Sequence, residues 1–151
     1  MAEQKSSHEI NDLRKTAGKL IPCSGKEHIL LVDDEPAVVQ TTKTMLERIG
    51  CRVTALTDSS EALKVFTRNP DNFDLIITDQ TMPDMTGIAL AKAVLAVRKD
   101  MPVILCTGYS ETVSPEEARE IGIREFLMKP ATKKEMAQAI RRALEKEENI
   151  K

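Results

Sequence analysis

The sequence predicts an α/β protein: a doubly wound, five-stranded parallel sheet with five helices spread over its two faces. Three observations predict it. Strand-like and helix-like segments alternate five times between His28 and Glu147. Three of the strand candidates, ILLV at 29–32, LII at 75–77 and VILC at 103–106, are continuous apolar runs rich in β-branched residues, as expected of strands covered on both faces. Polar residues follow these runs immediately, at the strand ends where such sheets collect ligands.

Taken in order, the first strand is followed by Pro36 at a first-turn position, with Val38, Thr42, Met45, Leu46 and Ile49 on one face until Gly50 stops the helix. RVTAL at 52–56 is a weaker strand candidate, and Asp58 with Glu61 marks the next helix start. After the third strand, a helix from about Ile88 to Arg98 is expected to turn Leu90, Val94 and Val97 inward. Ser114 with Glu117 and Pro115 starts the fourth helix, and REFLM at 124–128 is the fifth strand. Thr132 with Glu135 opens the last helix, whose stripe is Met136, Ala139, Ile140, Ala143 and Leu144.

These elements make one domain over residues 28–147, with 148–151 as a short tail. Residues 1–27 are polar, hold Gly18, Pro22 and Gly25, and carry only a weak helical pattern around Ile10, Leu13 and Leu20, so they read as a linker or tail, with a partner-binding or dimerising helix as the alternative. The 22 basic and 24 acidic side chains give a net charge of -2, which offers no footprint for nucleic acid or an anionic membrane. Cys23, Cys51 and Cys106 are odd in number and widely spaced, which argues against a disulfide framework and a zinc site and points to a reducing cytoplasm. No signal peptide or membrane-spanning run is expected.

The chemistry is sought after the strands. Strand one ends in Asp33 and Asp34, strand three in Asp79, strand four in Thr107, strand five in Lys129 and Pro130. If strands one and three are neighbours, about 4.8 Å apart, the three aspartates converge. Carboxylates so close repel one another and call for a cation; magnesium suits best, since it takes one or two carboxylates and leaves room for phosphate oxygens. Lys129 can bring a point charge to the same pocket. Acid cluster, metal, hydroxyl and lysine together describe a phosphoryl site with a carboxylate nucleophile, and Asp79 is the best candidate because the open loop QTMPDMTG follows it.

Each of these residues also has a plainer reading. Asp33 and Asp34 could simply cap a helix, Asp79 and Thr107 could be turn residues, and Lys129 a solvated charge. Met82 and Met85 read as loop packing and Cys106 as a small buried residue. His8 and His28 stand alone and are assigned no phosphotransfer role.

The motifs VDDEP at 32–36, ITDQTMPDMTG at 77–87, LCTGYS at 105–110 and FLMKP at 126–130, in this order and spacing, resemble the receiver domains of bacterial two-component response regulators. The match covers about residues 27–147, and LCTGYS resembles receivers attached to hybrid sensor kinases. The resemblance implies a flavodoxin-like strand order of 2-1-3-4-5. It implies Asp79 as phosphoacceptor, magnesium (or manganese) bound directly by Asp34, through water by Asp33, and by the main-chain carbonyl of Thr81. Thr107 and Lys129 would contact the phosphoryl group, the bond before Pro130 would be cis, and Phe126 would be the aromatic switch coupled to Thr107. The partner would be a histidine kinase or histidine phosphotransfer protein, and the switching surface that of the fourth helix, fifth strand and fifth helix. The chain would be a signalling domain that assists its own phosphorylation and dephosphorylation, not an enzyme. Thr81 and Tyr109 lie where side chains shield the hydrolytic water, so slow self-dephosphorylation is expected, unless Tyr109→Ala leaves the decay unchanged.

Rival readings are a haloacid-dehalogenase-like phosphatase, a flavodoxin-like nucleotide binder and a pseudo-receiver acting as a constitutive interaction domain. The first needs a second aspartate where Thr81 stands, and the second a phosphate loop where VDDEP repels phosphate. The intact set of Asp33, Asp34, Asp79, Thr107 and Lys129 argues against the third.

Overall fold

The computed structural model describes residues 25–108 and 113–149, with side chains to residue 145. Five parallel strands, β1 (His28–Val32), β2 (Arg52–Leu56), β3 (Leu75–Asp79), β4 (Val103–Thr107) and β5 (Glu125–Met128), stand in the order β2-β1-β3-β4-β5. The helices among the described residues are α1 (Pro36–Arg48), α2 (Ser59–Arg68), α3 (Gly87–Val97), α4 (Pro115–Ile121) and α5 (Lys133–Asn149), with one 3-10 turn at Pro70–Asn72.

Alternation along each strand explains why the runs read as continuously apolar. Ile29, Leu31, Leu75, Ile77 and Ile104 face α1 and α5, where Leu46, Met136, Ile140 and Ala143 complete one core layer. Leu30, Val32, Ile76, Val103 and Leu105 face the other way, against Phe66 of α2, Leu90 and Val94 of α3 and Ala118 of α4. β1, β3 and β4 thus bury both faces, while β2 and β5 at the sheet edges stay half-buried, and truncating one of the buried leucines or isoleucines to alanine costs roughly 2–5 kcal/mol.

The helix starts follow the local chemistry expected of them. Pro36 is the first residue of α1, Asp58 accepts from the main-chain N–H groups of Ser60 and Glu61, and Ser114 with Glu117 forms a complete capping box. Thr132 and Glu135 form another, at 2.9 and 3.0 Å. Gly50 adopts φ +96° just past α1, a conformation in which a side chain would be strained.

Three expectations need correction. Val97 is 46% exposed, because the buried stripe of α3 is Gly87, Leu90, Ala91 and Val94, and Val97 falls on its flank in the last turn. The buried face of α1 is centred on Val39 and Leu46, which leaves Val38 only half-buried. Cys51 is disulfide-bonded, so the three cysteines are not all free thiols; an odd count and wide spacing leave room for one pair.

Candidate functional site

The winding direction of the sheet reverses between β1 and β3, and the crevice that opens there is where the strand-end residues meet. Main-chain hydrogen bonds carry the ladder one residue past the strands: Asp33 N–H donates to Leu56 O at 3.2 Å, Gln80 N–H to Cys106 O at 2.9 Å and Lys129 N–H to Thr107 O at 2.7 Å. The side chains at these points therefore stand on backbone fixed by the sheet.

Asp33, Asp34 and Asp79 each bring a carboxylate oxygen to within 4.8 Å of the others. Lys129 Nζ donates to Asp79 Oδ1 at 2.9 Å and to Asp33 Oδ2 at 3.3 Å. Burial opposes the charge on Lys129, but the hydrogen bonds and negative charges of Asp79 and Asp33 outweigh it and hold the ammonium pKa above the ordinary lysine range. Lysine is thus the counter-ion to two of the three acids in the folded chain.

The two adjacent aspartates are not equivalent. Asp33 is buried at 5% exposure, and its other oxygen accepts from Glu35 N–H at 3.1 Å. Asp34 is half-buried, and its carboxylate has no hydrogen-bond or ion-pair partner among the described residues. This donor set fits a hard divalent cation: clustered carboxylates, one of them fully occupied by protein partners and one open.

Thr107 is 1% exposed at the end of β4, and its hydroxyl donates to Met128 Sδ at 3.5 Å. Phe126 lies on β5 opposite Leu105, half-buried against the core layer of α2, α3 and α4. Thr81 is exposed in the loop after Asp79. The Lys129-Pro130 peptide is cis, as the resemblance implies. Met82 is buried and Met85 packs against the same layer, as loop packing requires. Cys106 is buried too, and its thiol is pushed up to about 12 by that burial and by the charge of Asp79. Tyr109 lies outside the described residues, as do His8, Cys23 and nearly all of the segment 1–27.

Some contributors were not apparent from sequence. A Cβ on Gly87 would meet the main-chain O of Asp79 and stand 2.6 Å from Leu105 Cδ1, so the start of α3 approaches the end of β3 as only glycine permits. Gln80 closes the same loop: its main-chain O accepts from Gly87 N–H at 3.0 Å and its side-chain Oε1 from Ile88 N–H at 2.9 Å. The only sequence signal was a glycine at a helix start after QTMPDMT. Beside the acids, a cavity of about 530 Å³ runs between α1 and α5, lined by Val38, Met45, Ile77, Ala131 and Met136.

The family model for the response regulator receiver domain matches residues 29–141. The chain is 35% identical over 108 residues to the two-component response regulator ORR22 of Oryza sativa subsp. japonica, covering 72% of this chain and 15% of the relative. It is 35% identical over 118 residues to the transcriptional regulatory protein GlrR of Escherichia coli (strain K12), covering 78% of this chain and 26% of the relative. The chain thus spans a quarter or less of one relative and about a quarter of the other. Among solved structures, a response regulator receiver domain protein from Clostridium thermocellum superposes with a TM-score of 0.78 at 31% identity, over 83% of this chain and 99% of that one. The chemotaxis protein CheY4 of Vibrio cholerae does so with a TM-score of 0.68 at 32% identity, over 78% and 98%. The strand order is that of the receiver domains on which it superposes, and the chain belongs to the response regulator receiver domains of two-component signalling.

Proposed function

We propose that the chain accepts a phosphoryl group on Asp79 from a phosphohistidine of a kinase or phosphotransfer protein and answers with a changed surface. The observation that carries the reading is the pairing of Lys129 with Asp79 at 2.9 Å inside a cluster of three carboxylates. In the step, an Asp79 carboxylate oxygen forms the new O–P bond while the N–P bond of the donor breaks and its electron pair returns to the imidazole. Lys129 stays charged and is placed to neutralise the transferring group.

Asp34, Asp33 and Asp79, with the main-chain carbonyl of Thr81, would hold magnesium, or manganese in its place. When bound, the ion supplies charge neutralisation at the phosphoryl oxygens. Asp34 is proposed as the direct ligand because its carboxylate is the open one, and Asp33 as the water-bridged one because Lys129 and Glu35 already occupy it. Thr107 then turns its hydroxyl to the phosphoryl oxygens, and Phe126 follows on β5, coupling the site to the α4, β5 and α5 surface. The chain acts as a signalling domain that promotes its own phosphorylation and dephosphorylation. No helix among the described residues is long and apolar enough to cross a membrane.

The test is intact-mass spectrometry after incubation with acetyl phosphate and magnesium. One phosphate should appear on the wild-type chain and none on Asp79→Asn; an unmodified wild type under every donor would leave a constitutive interaction domain.

A further inference from the structure

The hydroxyl of Thr107 is buried, yet its only partner among the described residues is a sulfur, Met128 Sδ at 3.5 Å. A buried hydroxyl needs an acceptor, and a thioether is a weak one. Thr107 and Met128 are direct partners across the β4 and β5 ladder, and the main chain is held there by Lys129 N–H on Thr107 O at 2.7 Å. The backbone is fixed, so side-chain rotation is the freedom that remains to the hydroxyl. Met128 is 40% exposed on the edge strand, unbranched and free to yield.

We propose that Met128 is a positioning residue: its thioether parks the Thr107 hydroxyl in the unphosphorylated chain and sets how readily that hydroxyl is released to an incoming phosphoryl oxygen. This rests on the phosphoryl acceptance proposed above. An anionic phosphoryl oxygen is a far stronger acceptor than sulfur, so the hydroxyl changes partners once the group arrives. The weakness of the bond to sulfur is then functional, because an oxygen acceptor in that place would hold the hydroxyl back more firmly.

Removing the acceptor while keeping the side chain's bulk, with Met128→Leu or Met128→Ile, should leave the parked rotamer without its partner and favour the engaged one. The experiment follows the carbon-13 signal of the Thr107 methyl in the protein with and without magnesium and beryllium fluoride, a phosphoryl mimic. In M128L the methyl signal of the unliganded protein should move part of the way toward its saturated position. The half-saturating beryllium fluoride concentration should fall about 2- to 5-fold, the range in which one weak hydrogen bond shifts an equilibrium. Met128→Gln, which restores an acceptor on a side chain of similar length, should bring both readouts back to wild type or beyond it. In a Thr107→Val background, the effect of M128L on the titration should vanish. An unmoved methyl signal and an unchanged midpoint in folded M128L and M128I would overturn the proposal, as would an effect that persists without the Thr107 hydroxyl. If wild type itself shows no response to beryllium fluoride, phosphoryl acceptance falls, and the methyl signal of the unliganded variants still decides whether Met128 holds Thr107.

Discussion

The two ends of the sheet treat charge in opposite ways. At the amino end, cations are spent mainly on main-chain carbonyls: Arg98 Nη1 donates to Pro70 O at 3.1 Å and Phe73 O at 2.8 Å while its Nε pairs with exposed Asp100 at 3.1 Å, and Arg124 reaches Ala143 O at 2.9 Å and Asp100 O at 3.0 Å. The ring of His28 bridges Asn72 O at 3.0 Å and Thr54 Oγ1 at 2.7 Å. Each of these groups ties one segment of the fold to another and is consumed by doing so. At the carboxyl end, charge faces charge, with Lys129 between Asp33 and Asp79 and Asp34 unpartnered among the described residues. One end spends its polar groups on architecture, and the other keeps them available.

That contrast is open to attack, most sharply at Lys129. Lys129→Ala should slow phosphorylation by acetyl phosphate about 100-fold or more, the scale on which one preorganised charge acts in a transition state. A rate within a few-fold of wild type would make the lysine architectural like the arginines. Next comes the asymmetry of the acids: Asp34→Ala should weaken magnesium binding, followed by isothermal titration, on the order of 10-fold more than Asp33→Ala does. The reverse order would exchange their roles. Arg98→Ala should do the opposite of both, lowering stability in urea by about 1–3 kcal/mol while leaving magnesium affinity unchanged. A changed affinity would mean that the two ends communicate.

The smallest effect concerns Cys106. Its thiol is raised to about 12 in the folded chain, above the unfolded range, so its stabilisation is complete below that range and lost as pH rises through the folded value. Near pH 8.5, where free thiols begin to ionise, native Cys106 should resist iodoacetamide and label fully once the chain is unfolded. Prompt labelling of the native chain would show that the strand beneath the acids opens. The same sign holds for Lys129: with its pKa raised, it stays charged through the neutral range, so phosphorylation between about pH 6 and 9 should show no step from lysine titration.

Much of this was legible because strand ends are easy to read. The runs ILLV, LII and VILC are short and apolar on both faces, so the polar residues within two positions of their ends, Asp33, Asp79 and Thr107, are marked by the boundary itself. What escaped the sequence depends on how elements meet. The Thr107 contact with Met128 exists only through the register of β4 and β5, and Gly87 matters because α3 comes down onto Asp79. Val97 was misplaced because helical phase is set by the whole stripe and not by the largest residue at its end. The distinction between Asp33 and Asp34 came from family resemblance, and the geometry supports it through the partners that only Asp33 has.

Lys129 has a consequence for how the domain lives without metal. Its ammonium already offsets part of the repulsion that the clustered acids would impose on the fold. On the function proposed above, foldedness and readiness would thereby be separated: the resident cation travels with the chain, while the exchangeable one would arrive from solution. Ion availability would then govern when the domain is armed and leave its architecture standing, so that the signal is withheld without losing the receiver.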